Sequence, residues 1–155
     1  MIIEIEHPKL GPQDTRLSTD VAASATSSTV ENNKSFATND YTVFGVPAEE
    51  LTEIIKLTST TGNTTIGHTT GPIFAHSART PIYQIKYNQV KIYSASSESG
   101  SYSLLATVDL TLDQPITSYD DTAGTSSTWY KIRYYNATTT SLSSLSVAVQ
   151  GTGYE

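Results

Sequence analysis

At 155 residues the chain has room for one large domain or two small ones. Threonine fills 25 positions and serine 20, and ten tyrosines stand against three phenylalanines, a composition that suits half-buried β surfaces rather than helices. A net charge of −6 without any basic run argues against binding to nucleic-acid phosphates, and zero cysteines exclude a disulfide scaffold, a thiolate metal site and a cysteine nucleophile.

No stretch approaches the roughly 18 consecutive apolar residues of a membrane-spanning helix. Met1-Ile2-Ile3-Glu4-Ile5-Glu6 has neither the basic start nor the apolar core of a leader, so neither membrane insertion nor a secretory signal is expected.

Taken in chain order, residues 1–16 read as an extended arm. Ile2, Ile3 and Ile5 stand near the start, and Pro8, Gly11 and Pro12 then forbid a helix. Such an arm cannot bury its isoleucines against itself, and each is worth about 1.5–3 kcal/mol once buried. With Pro8 and Leu10 they are expected to form the main partner-binding element, by pairing with the edge of another sheet. The competing arrangement is an arm folded back on the following module as an extra edge strand.

Residues 17–87 carry short strands punctuated by turns: Glu31-Asn32-Asn33-Lys34, Asn39-Asp40 and Thr60-Thr61-Gly62-Asn63 separate Tyr41–Val46, Thr52–Leu57 and Thr64–Gly67, and Thr80–Ile85 follows. This spacing predicts a small antiparallel β-barrel or sandwich. Pro47-Ala48-Glu49-Glu50 could open a helix, but Ile54-Ile55 and the threonines beyond favour a strand.

Residues 88–150 read as a second β module, and residues 151–155 as a flexible tail. Val90–Tyr93 and Tyr102–Val108 form a strand pair, Ile116–Tyr119 is a short strand, and Leu142–Val149 is the last one. Along Thr128–Tyr135, Tyr130, Ile132 and Tyr134 share one face, while Trp129, Lys131, Arg133 and Tyr135 share the other. Trp129, Arg133 and Tyr135 are therefore candidates for an interface, or for an internal contact if both sheet faces are covered.

This second module resembles the C-terminal two-thirds of a fibronectin type III domain. The matching pieces are Val90-Lys91-Ile92-Tyr93-Ser94, Tyr102-Ser103-Leu104-Leu105-Ala106, Thr117-Ser118-Tyr119-Asp120-Asp121, Trp129 to Asn136, and Ser143-Ser144-Leu145-Ser146. The usual first two strands are not visible, so either residues 81–87 stand in for them or the first module completes the sandwich.

The whole chain resembles small proteins of tailed bacteriophages and prophages. That resemblance is carried by His7-Pro8-Lys9-Leu10-Gly11, the turn-rich stretch from Ser27 to Tyr41, Glu53-Ile54-Ile55-Lys56, Phe74-Ala75-His76, Thr80-Pro81-Ile82-Tyr83 and Tyr87-Asn88-Gln89-Val90. It implies a non-enzymatic virion component bound to other virion proteins, at a neck ring, beside a portal or on the capsid. Copies would be ring-bound or homo-oligomeric. A head–tail neck or connector-associated role is the leading expectation; a capsid decoration protein and a carbohydrate- or cell-surface-binding adhesin are the alternatives.

No catalytic residue, cofactor or metal is expected. His7, His68 and His76 lack the spacing that places imidazoles on one face of a strand or helix. Asp109, Asp113, Asp120 and Asp121 lack the ligand spacing of a calcium loop, and Asp120-Asp121 reads as a turn cap. The Gly-x-Ser-x-Gly elbow, the phosphate loop and the dinucleotide fingerprint are all missing.

Overall fold

The computed structural model describes residues 1–151, so residues 152–155 of the expected flexible tail lie outside the described residues. Among the described residues there is no helix. Twelve strands run in chain order: β1 Ile2–Glu6, β2 Thr15–Arg16, β3 Ser27–Thr29, β4 Tyr41–Phe44, β5 Glu53–Thr61, β6 Thr65–His68, β7 Pro81–Ile85, β8 Gln89–Ala95, β9 Ser103–Asp109, β10 Ile116–Asp120, β11 Trp129–Tyr135 and β12 Val149–Gln150. All named strand pairs are antiparallel, and the fold is all-β.

The chain forms two units: residues 8–86 with 111–115, and residues 1–7 with 87–110 and 116 onward. In the first unit a six-stranded sheet, in the order β2-β7-β4-β5-β6-β3, curls into a half-barrel. β5 makes the curl possible, because its first residues pair with β4 and its last with β6, with a register shift between Leu57 and Ser59. The core inside the curl is built from Leu17, Val21, Val30, Phe36, Phe44, Ile55, Leu57, Ile66 and Ile82. The helix alternative at Pro47–Lys56 is not taken: Ala48 and Leu51 have positive φ, and the chain enters β5 at Glu53. Gly45, at φ 107°, makes the turn that precedes this segment.

The second unit is a sandwich of a two-stranded sheet, β1-β10, and a four-stranded sheet, β12-β11-β8-β9. β8 supplies Val90 and Ile92 to its interior and lies between β11 and β9. Tyr130, Ile132 and Tyr134 pair with Ser94, Ile92 and Val90, so they share the inner face, as the alternation predicts.

Three sequence expectations are corrected. Residues 1–16 are not one extended arm. Ile2–Glu6 is a strand in register with Ile116–Asp120, and Ile5 is only 1% exposed. Pro8 and Leu10 belong to the other unit. Second, residues 81–87 do not stand in for a missing sandwich strand, because Pro81–Ile85 is β7 of the half-barrel and Ile2–Glu6 takes the place beside β10. Third, the regular last strand over Leu142–Val149 is reduced to a bridge at Leu142 and the short β12. The cause is serine. Ser143 Oγ accepts from Tyr134 N at 2.8 Å and Ser146 Oγ accepts from Ile132 N at 2.9 Å, so side-chain hydroxyls replace the backbone carbonyls that a regular ladder would use.

Candidate functional site

The half-barrel holds two of the three histidines, and both are buried. The ring of Phe44 separates them, meeting each edge-on with centroids at 6.3 Å for His68 and 5.6 Å for His76. β6 places His68 opposite β3, where its Nε2 shares a 2.9 Å hydrogen bond with Ser28 Oγ. Burial pushes the His68 imidazole below the usual histidine range, and the Ala25 backbone and the Glu53 charge oppose that shift.

His76 Nε2 lies 2.8 Å from Glu53 Oε1. The same carboxylate accepts from Phe74 N at 3.1 Å and from Ile73 N at 2.8 Å. Glu53 thus fastens the segment 73–76 to the start of β5, which is a structural task. Ser28 and His68 form a serine–histidine pair on paper, but both are about as buried as the core isoleucines, so no substrate reaches them. Among the described residues no group of three or more histidine and acidic side chains converges as a metal site. His7, in the other unit, lies 3.1 Å from Thr117 Oγ1.

In the sandwich, Asp121 is the most committed carboxylate. Its Oδ1 accepts from Ala123 N at 3.1 Å, the expected turn cap, and its Oδ2 accepts from the Tyr130 hydroxyl at 2.9 Å. Burial first, then that hydrogen bond and the Asp121 charge, push the Tyr130 phenol up to about 12. The folded state therefore holds this proton more tightly than the unfolded chain. The resulting stabilisation is intact below about pH 10, the ordinary tyrosine value, and is lost as pH rises through about 12. Melting temperature measured along an alkaline series is expected to fall over that window. Tyr130→Phe should flatten the fall; an identical slope in the variant would show that the pair is not responsible.

An accessible groove of about 260 Å³ lies in this unit between β1 and the last segment. Ile3 and Ile5 of β1, Tyr130 and Ile132 of β11, and Val147 and Val149 form its apolar lining. Ile2, Val149 and Val147 are 56%, 60% and 81% exposed. The structure thus places Ile2, Ile3 and Ile5, but not Pro8 and Leu10, along the groove, with Ile2 exposed and Ile5 buried.

Trp129, Arg133 and Tyr135 lie on the other face of β11, each partly buried. There the Lys91 ammonium sits 4.3 Å over the Tyr135 ring, and Lys131 sits 4.4 Å over Tyr102. Sequence reasoning missed Val147 and Val149 as site residues. Their alternation with Ala148 was visible, but it reads equally well as an ordinary half-buried strand. Comparison with protein-family models, curated proteins and solved structures finds no match for this chain.

Proposed function

We propose that the chain is a non-enzymatic structural component of a tailed-phage particle, assembled in symmetric copies at the head–tail neck. One observation carries the assembly reading: the Ser28–His68, His76–Glu53 and Tyr130–Asp121 pairs are internal contacts, whereas the groove beside β1 is lined mainly by apolar side chains and borders a sheet edge. Catalysis needs titratable groups converging on an open pocket, and assembly needs apolar surface and unpaired strand edges. The phage placement draws on the sequence resemblance that runs from His7 to Val90. An adhesin reading fares less well, because a lysine ammonium already lies over one face of Tyr102 and of Tyr135.

Quantitative mass spectrometry of purified particles tests the placement. About a dozen copies per particle, the symmetry that the phage resemblance implies for a closed neck ring, is the expected result. Hundreds of copies would point to shell decoration instead, and absence from particles would overturn the reading.

A further inference from the structure

Among the described residues β1 has a strand neighbour on one side only. Met1 and Asp121 exchange backbone hydrogen bonds of 2.7 and 2.8 Å. In an antiparallel ladder the bonded pairs alternate, so Ile3 and Ile5 bond to β10 and the N–H and C=O groups of Ile2, Glu4 and Glu6 point away from it. The Glu6 carbonyl is capped by the Tyr134 hydroxyl at 2.6 Å. The outward groups of Ile2 and Glu4 have no backbone partner among the described residues. A seven-stranded sandwich has three or four strands in each sheet; here the smaller sheet has two among the described residues. The apolar groove begins where the next strand would lie, and its lining includes Ile132, an inner-face residue that is only partly buried.

We propose that this unit is an incomplete β-sandwich that accepts a strand from a partner protein: an extended segment with aliphatic side chains at alternate positions and Lys or Arg between them, paired along Ile2 and Glu4. The period follows from the pleat. A residue opposite Ile3 points into the groove, and the residues opposite Ile2 and Glu4 point outward beside those side chains. The charge follows from β1, whose exposed face carries Glu4 and Glu6. Lys131 also lines the groove, but its ammonium sits over the Tyr102 ring. A second copy would bring the same glutamates and a further net charge of −6 to the edge, which disfavours self-pairing.

The proposal rests on the assembly reading only in taking the partner to be a protein. Binding is measured on the purified chain and particle content separately, so either can fail alone. The probe is a labelled short peptide alternating Lys with Val and Ile, followed by fluorescence anisotropy and by amide hydrogen exchange of the full chain. A scrambled peptide and one with Glu for Lys serve as controls. The alternating lysine peptide should bind saturably, weaken as salt rises, and slow exchange at the Ile2 and Glu4 amides; the controls should do neither.

Glu4→Pro removes an N–H that β10 does not use, which an edge strand tolerates. Val147→Lys places a like charge in the groove at a position that tolerates change. Each should weaken binding by roughly tenfold, about 1.4 kcal/mol. Equal binding of the lysine and glutamate peptides, or unchanged exchange at Ile2 and Glu4, would overturn the proposal. So would concentration-dependent dimers that protect these amides without peptide, or peptide binding seen only after residues 152–155 are removed. The first of these would make a second copy the occupant, and the other would make it the chain's own end.

Discussion

Removal of residues 1–6 is expected to unfold the sandwich unit rather than merely shorten it. The deletion takes away β1 and its five-residue register with β10, uncovers the core where Ile5 was 1% exposed, and strips the Tyr134 hydroxyl of its Glu6 acceptor. Ile5 alone contributes about 1.5–3 kcal/mol through burial. A core of about 70 residues rarely supplies more than about 3–5 kcal/mol in total, so the loss of β1 consumes most of it. Trp129 is the only tryptophan and lies in this unit, which makes its fluorescence a local reporter. The truncated chain should lack a cooperative tryptophan-detected melt. As a contrast, Ile2→Ser, at an exposed position of the same strand, should shift stability by no more than about 0.5 kcal/mol. A truncated chain that melts like the full one would return residues 1–6 to the status of a dispensable arm.

The second large effect is expected at Glu53. Replacing it with alanine leaves Ile73 N, Phe74 N and the buried His76 ring without their common acceptor. Leaving a buried hydrogen-bonding group without its partner costs about 1–3 kcal/mol, and the partly buried Phe74 N–H, which loses the same acceptor, adds to the loss. Glu53→Gln should recover only part of the loss, because its amide keeps one acceptor oxygen and presents a donor where the second stood. Denaturant unfolding measures both variants. An alanine variant as stable as the parent would remove the structural role assigned to the carboxylate and reopen Glu53 and His76 as functional groups.

Much of the architecture was legible because it is local. Strand period and turn chemistry act over a few residues, so Asn39-Asp40, Thr61-Gly62 and Asp120-Asp121 mark turns in the sequence, and the fold turns at or just after each pair. The alternation along Trp129–Tyr135 likewise told which side chains share a face. Alternation does not name a strand's neighbour, however. Ile3-Glu4-Ile5-Glu6 has the period of an edge strand wherever it docks, and only the fold pairs it with residues 116–120 across most of the chain's length.

The same limit explains the histidines. His68 meets Ser28 forty positions away, and His76 meets Glu53 twenty-three positions away, distances over which no sequence period operates. The last segment failed for a different reason. Its hydrophobic pattern was that of a strand, but Ser143 and Ser146 offered hydroxyl acceptors to β11 in place of their carbonyls, and β propensity does not register that competition. The sequence alone therefore determined the all-β class, the positions of most turns and the faces of the strands, since these depend on neighbouring residues. The partner of β1, the burial of the histidines and the open groove were decided by tertiary structure, because each needs segments far apart in the chain to meet.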